Sequence, residues 1–421
     1  MKVIENLKIK EKLYIEKLKD GLTVMIIPKK DIRKKYVIWG TNYGSIDNKF
    51  IVPGEDKPTE VPMGVAHFLE HKMFEQKNGT NSLDTLTSLG VNANAYTTND
   101  HTAYLFEGID NFYEALDELM DYVQNPYFTD ENVEKEKGII GQEINMYDDY
   151  PEWKVYMNAL KAMYKDYPIK LDTAGTVETI SHIDKEVLYK CYNTFYNPSN
   201  MLLVLCGDFD PEKLIEEVKK RLKDTQSNGE IKRIYPKEQN EIVQEKIEEK
   251  MEVSLPLYTI GIKLEPLKEE KVKKHIAIEI LLNIIFGESS ELYKKLYNNG
   301  IIYERPGLEF DFSKDYAYII ITGKSKAPEN VYEEFKKEVE KLKEHITEED
   351  FERTKKRLYG IYVREFDDVS STARMFLSDY FKGVNSFDYL DEIETINEQY
   401  LKQVLEDVFK KDKMIISVVR N

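Results

Sequence analysis

The sequence predicts an α+β fold of two homologous domains, each a mainly antiparallel sheet packed with helices. Three observations carry this. At 421 residues the chain is longer than one compact core accommodates. A polar stretch over residues 223–241, with Asp224-Thr225-Gln226-Ser227-Asn228-Gly229-Glu230 and Pro236, has turn formers and no sustained apolar period, so it reads as a linker between a domain of residues 1–222 and one of residues 242–421. Finally, the two pieces echo each other. Aligning Ile183 with Ile396 also aligns Met201 with Met414, at an offset of 213 in both places, and Phe128-Thr129-Asp130-Glu131 returns as Ile346-Thr347-Glu348-Glu349 at an offset of 218. Repeats of this length indicate domain duplication.

The individual elements follow from local pattern. Leu22 to Pro28 and Tyr36 to Tyr43 suggest an early hairpin. Glu60 to Met73 reads as a helix, and so does Asp110 to Val123, where Phe112, Leu116, Leu119, Met120 and Val123 recur at helical spacing. Asn94 to Phe106 is rich in β-branched and aromatic residues and reads as a strand. Thr129 and Thr347 are the expected N-caps of two helices with acids in the first turn. Met201-Leu202-Leu203-Val204-Leu205-Cys206 reads as a buried strand, its cysteine a small hydrophobe.

Composition narrows the function. The net charge of −17 repels phosphates and argues against general nucleic-acid binding. Two cysteines, Cys191 and Cys206, with no CxxC pair, argue against thiol redox work and cysteine metal sites. The N-terminus lacks an apolar core of signal-peptide length and no apolar stretch approaches a membrane span, so the expected location is cytoplasmic.

The chemistry concentrates in His67-Phe68-Leu69-Glu70-His71, an H-x-x-E-H pattern. Two histidines four apart on a helix share a face and hold one ion between them, while Glu70 stands beside that face, within reach of a water rather than of the ion. With six histidines in the chain, a chance occurrence has odds on the order of one percent, which favours a metal site over two accidental histidines on a solvated helix. A catalytic zinc site needs a third protein ligand. The best candidate is Glu143, in the helical stretch Glu136 to Glu143; Glu136 lies two turns earlier on the same face, as a catalytic carboxylate that orients a ligating histidine, whereas Glu134 points away. Zn²⁺ so held acidifies water, and Glu70 serves as general base and then passes the proton to a leaving amine. The alternatives are a non-catalytic, peptide-holding scaffold subunit and an enzyme that uses the same ion for non-peptide hydrolysis.

On His67 to Phe74, Asn94-Ala95-Tyr96-Thr97, Glu136 to Glu143 and Asn197-Pro198-Ser199-Asn200-Met201, the chain resembles the pitrilysin/insulinase family of inverted-motif zinc metallopeptidases over nearly its whole length, and in particular its short, processing-peptidase-like bacterial members. The resemblance implies that the two domains form half of a clam-like chamber, with metal in the first domain only. It implies a zinc-dependent endopeptidase of short or unfolded polypeptides, bound as an added strand beside Asn94, Ala95 and Tyr96. Family members that supply substrate contacts from the second domain carry an Arg shortly before a Gly and a Tyr shortly after it. Here Tyr303 follows Gly300, but no Arg precedes it and Tyr297 stands near its place. The resemblance therefore implies a related, zinc-less partner subunit, or failing that a homodimer. His101 follows the proposed edge strand, and its approach to substrate is the lesser reading beside a structural one; His182, His275 and His345 receive no chemistry.

Overall fold

A computed structural model describes residues 1–225 and 229–421. The first half runs β1 (Lys2–Asn6), β2 (Glu11–Lys17), β3 (Thr23–Pro28), β4 (Lys35–Thr41), β5 (Lys49–Ile51), β6 (Pro58–Glu60), α1 (Val65–Lys72), α2 (Ser82–Ser88), β7 (Asn92–Thr97), β8 (Thr102–Gly108), α3 (Phe112–Gln124), α4 (Asp130–Asp148), α5 (Pro151–Met163), α6 (Val177–Ser181), α7 (Lys185–Phe195), β9 (Met201–Gly207) and α8 (Pro211–Arg221). After β10 (Lys232–Arg233) come β11 (Lys246–Lys250), β12 (Leu257–Leu264), α9 (Lys271–Phe286), α10 (Glu291–Asn298), β13 (Gly307–Phe312), β14 (Ala317–Lys324), α11 (Pro328–Glu344), α12 (Glu348–Glu365), α13 (Val369–Lys382), α14 (Asp388–Thr395), α15 (Glu398–Val408) and β15 (Met414–Arg420).

Packing gathers these elements into two α+β units: Met1–Ile144, Asp172–Tyr235 and Glu365–Gly383 in one, Asn145–Leu171, Pro236–Arg364 and Val384–Asn421 in the other. Unit one is built on the sheet β1-β2-β3-β9-β4-β8-β7 and unit two on β11-β15-β12-β14-β13. The last five strands of the first sheet and the five of the second follow the same plan. Each has one parallel pair, β3 with β9 and β11 with β15, followed by antiparallel pairs. The duplication read from Thr129 and Thr347 is visible locally, since each hydroxyl accepts the backbone N–H three residues on, at 3.1 Å.

Two segments stand apart from the contiguous division at residues 222 and 242. Helix α5 packs on β12, β15 and β11, and α13 packs on β4 and β9, so each sheet is covered by a helix from the other half of the chain. A glycine admits each helix: a Cβ on Gly40 of β4 would meet Leu377 of α13 at 2.8 Å, and one on Gly261 of β12 would meet Met163 of α5 at 2.9 Å. Within the expected linker, Arg233 of β10 forms an ion pair with Asp47 at 3.0 Å, and β10 extends a small sheet with β5 and β6. Gln226, Ser227 and Asn228 of that linker lie outside the described residues.

Three local expectations are corrected. The early hairpin is absent, because β9 lies between β3 and β4, pairing parallel to one and antiparallel to the other. β9 is buried at every position, and the interior of a sheet is where such an unbroken apolar run is satisfied. The strand expected over Asn94 to Phe106 is two strands, β7 and β8, reversed at Thr98-Asn99-Asp100-His101, where Thr98 N–H donates to the His101 carbonyl at 2.8 Å. The helix expected from Glu60 begins only at Val65, because Glu60 ends β6 and Gly64 sits at φ 91°.

Gly64 is a conformational requirement. A Cβ there would stand 2.4 Å from the carbonyl oxygen of Ala174, in a left-handed backbone that L side chains resist. Gly64→Ala is expected to cost at least about 2 kcal/mol. Urea denaturation checks this, and a change within about 0.5 kcal/mol would show that the loop yields freely.

Candidate metal centre

Helix α1 carries His67, Glu70 and His71 and is fixed by the residues between them: Phe68 and Leu69 are fully buried in the core of unit one. Residues four apart on a helix stand one turn apart on one face. The two rings accordingly lie side by side, with centroids 4.6 Å apart. Helix α4 packs beside them and delivers Glu143, whose Oε2 is 3.8 Å from Nε2 of His67 and 3.5 Å from Nε2 of His71. Ligands about 2.0–2.1 Å from a tetrahedral zinc stand about 3.3 Å from one another, and Glu143 is near that spacing from each ring. Among the described residues, His67, His71 and Glu143 are the one group of three or more His, Cys, Asp or Glu with donor atoms close enough to share a metal.

Glu136, two turns earlier on α4, is buried, and its Oε1 lies 3.0 Å from Nδ1 of His71. Burial alone would raise its carboxyl. The hydrogen bond from His71 and the charge of Lys72 overcome that and hold it below the ordinary carboxylate range. An ionised Glu136 only accepts, so Nδ1 of His71 donates and Nε2 is left free toward Glu143. Glu70 accepts from the Thr97 hydroxyl at 2.7 Å. Burial raises its carboxyl above the usual value, which makes it a better proton acceptor.

The two imidazoles are pushed in opposite directions. Burial, with the adjacent His71, lowers His67 to about 3, so this ring is neutral and ready to ligate. Burial also pulls on His71, but the hydrogen bond to Glu136 and the charges of Glu70, Glu136 and Glu143 outweigh it and raise its pKa. Nδ1 of His67 is buried without a hydrogen-bond partner among the described residues, so His71 is the better-oriented ring of the pair.

Asn94, Ala95 and Tyr96 lie in β7, which among the described residues pairs only with β8 and therefore ends the sheet with one backbone edge unpaired. The same strand supplies Thr97 to Glu70, which ties that edge to the face of α1 that carries Glu70. Tyr303 lies in unit two, between α10 and β13, and is 57% exposed. Sequence reasoning passed over two residues: Thr97, the neighbour of Glu70, and Lys72, fully buried at the end of α1.

The matching surface of unit two has filled itself. His275 and Glu279 stand four apart on α9, as His67 and His71 do on α1, with Tyr362 on α12 one residue beyond the counterpart of Glu143. Nδ1 of His275 meets the Tyr389 hydroxyl at 2.9 Å, Tyr362 donates to Glu279, and the rings of Phe310 and Phe312 pack edge-on against the imidazole. These polar groups satisfy one another, with one nitrogen donor and no second carboxylate, and the set suits packing rather than an ion.

Comparison with known proteins agrees with this division of labour. Residues 55–177 match the profile of the insulinase family (peptidase family M16), and residues 182–358 match that of the peptidase M16 inactive domain. The uncharacterized zinc protease YmfH of Bacillus subtilis (strain 168) is 40% identical over 100% of this chain and 99% of its own. A crystal structure of an M16-like peptidase from Alicyclobacillus acidocaldarius superposes with a TM-score of 0.94 at 31% identity, covering 99% of this chain and 100% of that one. A protease from Helicobacter pylori shares the fold, with a TM-score of 0.84 at 19% identity over 98% of this chain and 100% of that one. The His/Glu cluster inside the catalytic-domain match supports a zinc-dependent endopeptidase mechanism.

Proposed function

The chain belongs to the insulinase (M16) family of zinc metallopeptidases, and from that premise we propose that it hydrolyses peptide bonds of short or unfolded polypeptides laid along β7, with His67, His71 and Glu143 holding the zinc and Glu70 as the base. The observation that carries this reading is the convergence of Nε2 of His67, Nε2 of His71 and the Glu143 carboxylate on one point, with the Glu70 carboxylate on the same helix. When bound, zinc supplies Lewis acidity, polarising a peptide carbonyl and acidifying water.

The remaining work falls to the chain's own residues. Thr97 holds one oxygen of Glu70 and leaves the other to take the proton of the attacking water and return it to the leaving amine. Glu136 holds His71 in the tautomer that ligates. The unpaired edge of β7 supports binding of the substrate backbone as an added strand, with Asn94, Ala95 and Tyr96 along it.

The partner reading rests on the family resemblance. With no Arg before Gly300 and Tyr303 alone in place, completion of the substrate site by a related zinc-less chain is the leading arrangement, and a second copy of this chain the alternative. Among the described residues no helix is long and apolar enough to cross a membrane; we place the protein in the cytoplasm.

The test is direct. Purified protein is expected to hold about one zinc per chain and to cut unstructured peptides in a way that chelation abolishes and zinc restores. A zinc-loaded chain, alone and with its co-purifying partners, that leaves a diverse peptide library intact would overturn the reading.

A pH dependence follows as well. Zinc must displace the proton that His71 keeps up to a value above its ordinary 6.5. Apparent zinc affinity is therefore expected to be weak below that value, to rise with pH through it and to level off above. Chelator competition from pH 5.5 to 8.5 measures this. A flat profile would mean that the proton and the ion do not compete.

A further inference from the structure

Lys72 ends α1, and its side chain has no exposure at all. An ammonium is costly to bury unless carboxylates surround it, so a lysine retained there is held by specific partners. Two carboxylates supply them. Glu75, one turn on and nearer the surface, lies 2.7 Å from Nζ, and Oε2 of Glu136 lies 3.5 Å from it. These contacts are ionic rather than well-aligned hydrogen bonds.

The partition of the Glu136 oxygens is the informative detail. Oε1 faces Nδ1 of His71 and Oε2 faces Lys72, so the carboxylate is tethered at both ends. With a single tether it would turn about its terminal torsion, which is broad for Glu, and the imidazole would lose its fixed partner. Glu75, Lys72, Glu136 and His71 thus form a chain of contacts from the surface to a ligating ring.

We propose that Lys72 is a positioning residue: by pinning one oxygen of Glu136 it keeps the other aimed at His71, and the tightness with which the site holds zinc depends on it. This rests on the metallopeptidase reading of the same site.

The experiment compares zinc affinity, by chelator competition on metal-free protein, for wild type, Lys72→Met, Lys72→Arg and Glu75→Gln, with the melting temperature of each metal-free form measured alongside. Loss of an outer partner of a metal ligand costs about 10–100-fold in affinity. Lys72→Met is expected to bind zinc at least about 10-fold more weakly, Lys72→Arg to recover most of that loss, and Glu75→Gln, which frees the ammonium to move wholly onto Glu136, to bind as tightly as wild type or tighter.

Wild type that takes up no zinc overturns the metallopeptidase reading and this inference with it. Wild-type uptake with unchanged affinity in Lys72→Met overturns this inference alone. Should Lys72→Met not fold, Glu75→Gln decides, since weaker zinc binding in that variant would place the support in Glu75 and not in Lys72.

Discussion

Glu70→Gln is expected to lower peptide hydrolysis by about 10³-fold or more and to leave zinc binding intact, because it removes the proposed proton acceptor and none of the proposed ligands. The geometry makes this a clean test. The amide oxygen of glutamine still accepts from the Thr97 hydroxyl, which now meets one oxygen of Glu70 at 2.7 Å, so the side chain has the same anchor. Stability is expected to hold or rise slightly, since burial already penalises the charge that the variant lacks. Turnover of a fluorogenic peptide, with metal content measured on the same sample, checks both halves. Activity within tenfold of wild type would remove Glu70 as the base, and loss of zinc would place Glu70 among the ligands instead.

How much of this was legible in the sequence depends on how local each feature is. His67 and His71 could be read because a four-residue spacing on a helix fixes their relation without help from the rest of the fold. Glu143 was harder. Its helix could be read, and its two-turn relation to Glu136 gave the face, but its approach to α1 is a packing event that was inferred from the need for a third ligand and from the family resemblance, not from a local pattern. The insertion of β9 between β3 and β4 has no local signature. The chain brings a strand from residue 201 into a gap opened by residue 28, and adjacent strands in sequence are a sound expectation that fails whenever a later strand intervenes.

The exchanged helices were illegible for the same reason. An apolar stripe on α5 or α13 says that a face is buried, not which sheet buries it, and the small residues that admit them, Gly40 and Gly261, lie in strands far away in sequence. The reversal at Thr98 to His101 was different, since Asn99 and Asp100 are turn formers and a long apolar–aromatic run masked them. Burial of Lys72 depends on Glu75, just beyond the end of α1, and on Glu136 of α4, and the approach of α4 could not be seen from the neighbours of Lys72 in sequence.

Replacing the second histidine attacks the site where it is best organised. His71→Ala removes one of the two proposed nitrogen ligands and leaves Nε2 of His67 and Glu143, 3.8 Å apart, as the remaining proposed pair. That is too few for a catalytic zinc site. Affinity is expected to fall by more than the roughly 100-fold that loss of an outer partner costs, so the protein purifies without zinc and without activity. The alanine also strips Glu136 of its hydrogen-bond donor, and the metal-free form should show it in a pH-dependent way. Because the folded pKa of His71 is raised, the stability it contributes is fully present below its ordinary 6.5 and is lost as pH rises through the higher folded value. Metal-free His71→Ala should therefore melt below metal-free wild type at acidic pH and approach it at alkaline pH. Added imidazole, able to enter the space the ring vacates, is expected to restore part of the zinc binding, which a general unfolding defect would not allow. One zinc per chain in His71→Ala at wild-type affinity would strike His71 from the ligand set, and the mechanism would then have to be rebuilt around a different trio.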